Sequence, residues 1–174
     1  MTFSPQPEFW LRGPVSGVPA LLQPVAHALL QARAEVTIAL KDFPENQLWQ
    51  RPDNIASVGF HLQHLTGVLD RLFTYARGEQ LTRQQLEYLQ REGKENEEIR
   101  VLNLLNNFNE QVDQAILQLK NTAENQLLEL RGVGRKLIPS NVWGLLFHAA
   151  EHTQRHTGQL LVTAKWISLL KKKS

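Results

Sequence analysis

The 174-residue sequence contains no cysteine. That excludes a disulfide framework, a thiol nucleophile and every cysteine-type zinc module, so a metal site in this chain must be built from His, Asp and Glu. Long hydrophobic runs are missing too: nothing approaches the ~18 consecutive apolar residues that a membrane span requires. The opening MTFSPQPEFW lacks a basic stretch followed by an apolar one, the order that marks a secretory signal. A cytoplasmic protein with no membrane partner is expected. An excess of either charge is also absent, with 19 Lys and Arg against 17 Asp and Glu and a net charge of +2. The only basic cluster is the closing Lys171, Lys172 and Lys173, which reads as a solvated helix end favourable to the helix dipole. Nucleic-acid binding leaves a clustered basic face with interleaved aromatics, so no nucleic-acid partner is expected.

What is present is ordinary for a globular chain: 42% hydrophobic and 21% charged residues. The length suffices for one domain over residues 1–174 with its own core. Leu21, Val25, Leu29, Ala32, Val36 and Leu40 recur at spacings of three and four, the apolar stripe of a first helix, with Pro24 tolerable near its start. Pro44 and Pro52 interrupt the helical pattern and predict a connector to about residue 53. Asp53 or Asn54 is placed to cap a second helix, along which Ile55, Val58, Leu62, Leu65, Leu69, Leu72 and Phe73 keep the helical period up to Gly78.

From Glu79 to Glu98 the chain is polar, with a short helix expected around Gln84 to Arg91, and reads as a long surface crossover. A third long helix is expected from Ile99 to Leu119 with Leu102, Leu105, Val112, Ile116 and Leu119 facing inward. Gly132 and Gly134 flank Val133 in a segment compatible with a small hairpin or a loop. Ser140 or Asn141 then caps a final helix of about eight turns. The fold class is all-α, a four-helix bundle whose long crossover between helices two and three departs from simple up-and-down order. Trp143, Trp166, Ile167 and Leu170 extend the apolar surface of the last helix beyond one stripe. This predicts a homodimer, the competing explanation being a wider core face.

Five of the six histidines fall in two windows, GFHLQHLTG and FHAAEHTQRHTGQ, both on expected helices. Residues four apart on a helix lie about 40° apart around the axis and ~6 Å along it, so neighbouring histidines can aim at one point. A lone histidine on an apolar face is usually a satisfied core residue. Two clustered windows point instead to a metal held between facing helices, since neutral imidazole ligates first-row divalent ions well. His148, His152 and His156 form a ladder whose ends are ~12 Å apart, too far for one ion, so only one adjacent pair chelates. His61 and His64 compete in the same way on the second helix. HAAEH at 148–152 also matches the pattern of inverted zinc peptidases, but the chain continues for only 22 residues beyond His152, leaving no room for the rest of such a site.

At these residues the chain resembles the DinB/YfiT-like superfamily of metal-dependent proteins, through HLTGVLDRLFTYARGEQLT and the late HAAEHTQRHTGQL. The resemblance spans roughly residues 18–168. It implies a four-helix bundle with up-down-down-up topology, often dimeric, in which three histidines hold a divalent metal. The family's helix-two histidine before an aliphatic residue corresponds to His64 before Leu65. Its late pair corresponds to His152 and to His156 in HTGQ. The resemblance therefore implies His64, His152 and His156 as ligands and leaves His61 and His148 beside them.

Three imidazoles suit zinc or nickel foremost, and iron or manganese as well. They leave a coordination position open, the arrangement of reactive rather than structural sites. Relatives resembling thiol-dependent transferases that use bacillithiol or mycothiol, and others regarded as hydrolases, imply a small-molecule substrate and a low-molecular-weight thiol as a candidate partner. Glu151 and Asp70 are carboxylates near the histidines, with no role assigned as a base. The competing expectation is a non-enzymatic metal-binding or dimerisation bundle with a stress-related role.

Overall fold

The computed structural model describes residues 6–170. The basic cluster at Lys171, Lys172 and Lys173 lies outside the described residues, as do the first five positions. Five helices account for most of the rest: α1 (Gln23–Leu40), α2 (Val58–Ala76), α3 (Arg83–Arg91), α4 (Val101–Lys120) and α5 (Val142–Leu170). A two-stranded antiparallel sheet, β1 (Leu130–Val133) and β2 (Ile138–Asn141), joins α4 to α5, so the Gly132–Gly134 segment is a hairpin.

The connector between α1 and α2 is irregular as Pro44 and Pro52 demand, but it runs further than Asp53. Asp53 and Asn54 both take positive φ in a short turn, and Ser57 caps α2 instead, its side chain accepting from the Phe60 backbone N–H. Asn141 is the cap of α5, its Oδ1 accepting from the Gly144 N–H at 2.7 Å. The short α3 opens on a reciprocal capping box between Thr82 and Gln85.

The four long helices share one apolar core, with Leu22, Leu29, Leu40, Leu62, Leu69, Phe108, Leu119 and Leu160 sealed from solvent. α2 packs against α4 and α5, and α1 packs against the same two helices, so α1 and α2 sit at opposite corners. Fifteen of the nineteen residues of α2 are buried. It therefore carries His61, Gln63 and Arg71 in sites where each polar atom needs a partner.

Three apolar positions depart from the expected stripes, and the first is Ile55, which lies before α2 and is exposed. Leu21 is exposed because it precedes α1 in a separate short turn, and Leu22 is the buried neighbour. Leu102 is exposed in the first turn of α4, where Leu104 and Leu105 face the core. Of the surplus apolar residues on α5, Ile167 is core and Trp143 packs against it, whereas Trp166 stays partly exposed. No helix among the described residues is long and apolar enough to cross a membrane.

Candidate metal centre

α2 and α5 run antiparallel through the histidine windows. His61 faces His156, with Nδ1 to Nδ1 at 3.2 Å, and His64 faces His152, with Nε2 to Nε2 at 2.9 Å. The His156 ring centroid lies 4.4 Å from that of His64 and 4.6 Å from that of His152. One ligand atom from each of His64, His152 and His156 lies within 4.8 Å of the other two. The three residues implied as ligands thus converge on one point, two from α5 and one from α2. Their positions follow from local structure: the Ser57 cap sets the start of α2, and Gln154 anchors the middle of α5 by donating to the Ala28 carbonyl of α1 at 2.6 Å.

Burial disfavours the protonated form of His61, His152 and His156. Burial, followed by the neighbouring His64, holds the His61 pKa down at about 4. His156 is also held at about 4, by burial first and then by His64, His152, His61 and Arg155. Burial and His64 likewise lower His152. A neutral imidazole keeps the lone pair that a metal ion requires.

The partners of the outer nitrogens decide which lone pairs face the centre. His64 Nδ1 lies 2.7 Å from a Glu92 carboxylate oxygen. The proton therefore belongs on Nδ1, and Nε2 faces His152 with its lone pair free. Two imidazole nitrogens at 2.9 Å need a proton or a cation between them, and either satisfies both. His156 presents Nε2 to the same point when its Nδ1–H donates to His61. His152 Nδ1 is buried with no hydrogen-bond partner among the described residues. An all-nitrogen donor set of this kind, short of ligands and partly sealed from water, fits one divalent first-row ion.

His148 stands at the rim. It is half exposed and pairs with Glu151 at 2.7 Å, and Glu151 also pairs with Arg155. His148, Glu151 and His152 form a second convergent group, but it shares His152 with the first, and its carboxylate is already paired on both sides. Asp70 faces away from the centre and accepts from Gln85.

The residue that sequence reasoning missed is Glu92. It follows α3 in the crossover assigned to the surface, yet its side chain is only 5% exposed. Its second oxygen pairs with Arg71 of α2 at 2.6 Å. The available signal was Arg71 itself, a cation on an otherwise apolar helix that needs a buried carboxylate. Phe60 stacks on His64, with rings 10° from parallel and centroids 5.3 Å apart.

Fold and centre together define a class of helical bundles with a histidine cluster shared by two antiparallel helices. A family model described as the DinB superfamily matches residues 28–160, and the chain belongs to that superfamily. The fold is similar to that of a Streptococcus pneumoniae protein solved by a structural genomics consortium, with a TM-score of 0.60 and 15% identity. That likeness covers 83% of this chain and 88% of the other. No curated protein matches the chain.

Proposed function

We propose that His64, His152 and His156 hold one divalent transition metal, and that the protein is a metal-dependent enzyme acting on a small molecule in the cytoplasm. The observation that carries this reading is the convergence of three imidazoles from two helices on one point. Zinc or nickel suits that donor set best, with iron or manganese following. Such an ion, when bound, supplies Lewis acidity that lowers the pKa of a water or thiol or polarises a carbonyl. The reaction is of hydrolase or thiol-transfer type, and a low-molecular-weight thiol is the candidate co-substrate.

The chain's own residues orient and shield. Phe60 covers one face of His64, and His61 backs His156. The apolar core is built without the centre, which favours a reactive ion over a structural one. The end-to-end contacts support up-down-down-up order. α2 and α4 share their C-terminal ends through Gln118 and the Phe73 carbonyl, while α5 opposes α2. Val162, Trp166 and Leu169 form an exposed apolar stripe at spacings of four and three on α5, and we assign a homodimer to that stripe.

The test is a panel of hydrolytic and thiol-transfer assays on metal-loaded and metal-free protein. We expect turnover that depends on metal and is lost in His152→Ala. Equal rates with and without metal across the panel would remove the enzymatic reading.

A further inference from the structure

We infer that Glu92 is the positioning residue of the centre: it fixes the proton of His64 on Nδ1 and so presents Nε2 as a ligand. The inference rests on the metal reading above and goes beyond it, because it assigns the crossover helix α3 a task in building the site.

Four observations carry it. First, the Glu92 carboxylate is buried and engaged at both oxygens, by His64 Nδ1 at 2.7 Å and by Arg71 Nη1 at 2.6 Å. An acceptor held by a guanidinium on one side orients the imidazole on the other and defines its tautomer. Second, α2 leaves space for this pair at Gly67. A Cβ there would collide with Glu92 Oε1, and it would lie 2.5 Å from Arg71 Nη1 and 2.8 Å from Tyr88 Cε1. Third, the end of α3 is fastened to α2 on either side of Glu92. The Tyr88 hydroxyl donates to the Gln63 carbonyl at 3.1 Å, and Gln63 Oε1 accepts from the Gly93 N–H at 2.7 Å. Burial pushes the Tyr88 phenol up to about 12, so it remains a donor. Fourth, Gly93 takes φ +77 beside Phe60, the left-handed conformation that turns the chain away directly after Glu92.

An ion pair buried for stability alone has no need of a histidine, and its replacement by apolar side chains is often neutral. Here the carboxylate reaches past Arg71 to His64, whose Nε2 meets His152. Metal-ligating histidines commonly give their outer N–H to a carboxylate, and loss of that partner weakens metal binding by about 10–100-fold.

The experiment uses the full chain in three forms: the parent, Glu92→Gln and the double variant Arg71→Met with Glu92→Met. Zinc affinity is measured by competition with a chromophoric chelator. The His64 tautomer is read in metal-free protein from long-range proton–nitrogen NMR. Gln keeps the shape but sets an amide beside Arg71, and the double variant removes both charges together, so at least one form remains folded by circular dichroism. The expected result is a folded protein whose zinc affinity falls by about 10–100-fold, with His64 shifting from a pure Nδ1–H form to a mixture. Folded variants that bind zinc within twofold of the parent and keep the Nδ1–H form would overturn the assignment. If the parent itself binds no zinc, the metal reading fails, and the tautomer measurement still decides whether Glu92 sets His64.

Discussion

Gly59 and Gly67 show how closely α2 is approached by its neighbours. A Cβ on Gly59 would stand 2.5 Å from Trp49 Cζ3 and 2.6 Å from Trp49 Cε3, while the Gly59 N–H donates to the Leu48 carbonyl at 2.8 Å. Trp49 is in turn held by its indole N–H on the Asn96 carbonyl at 3.1 Å, so it cannot simply step aside. Gly59→Ala is expected to destabilise the protein by about 1–3 kcal/mol, the usual cost of forcing a methyl into a packed site. A denaturant melt checks this, and a loss under a few tenths of a kcal/mol would mean that Trp49 moves freely. At this scale the sequence was informative wherever chemistry is rare. Clustered histidines on helical spacing, with the resemblance to select among them, pointed to the three residues that now converge. Glu92 was illegible because one carboxylate in a polar stretch looks like any other, and its 28-residue separation from His64 is bridged only by tertiary structure.

The helices themselves were largely legible from apolar spacing and breakers. α3 and α4 begin and end within a residue or two of the expected limits, and α5 begins at the expected cap. α2 starts later than composition suggests, because Asp53 and Asn54 are good caps by composition but are used in a left-handed turn, while Ser57 does the capping. Leu102 points to solvent because the buried stripe of α4 runs through Val101, Leu104, Leu105 and Phe108, which leaves position 102 on the opposite face. Asn141 has a definite role here, since the first turn of α5 leads directly to the histidines. Asn141→Ala should cost about 1 kcal/mol through the lost bond to Gly144, measured as a lower unfolding midpoint with the centre intact. An unchanged midpoint would show that the hairpin alone fixes that end.

At the scale of the whole molecule, the buried His61 and the half-buried His156 tie stability to pH. His61 and His156 have folded pKa values near 4 against an ordinary 6.5. Between those values the unfolded chain binds more protons, so stability is full above pH 6.5 and falls as pH drops toward 4. Metal-free protein should show a melting temperature that declines through this window, and His61→Phe should flatten the decline. A melting temperature independent of pH from 7 to 4.5 would contradict the burial of these rings as neutral groups. Metal release should follow the same direction, since protons and the ion compete for the same lone pairs.

The central claim is that His64, His152 and His156, and not His148, form the metal centre. Elemental analysis of purified protein, with each of the four histidines changed singly to Ala, tests it most directly. One first-row metal ion per chain in the parent and in His148→Ala, with marked loss in the other three variants, is the predicted result. Full retention of metal by His64→Ala, or its loss in His148→Ala, would contradict the account.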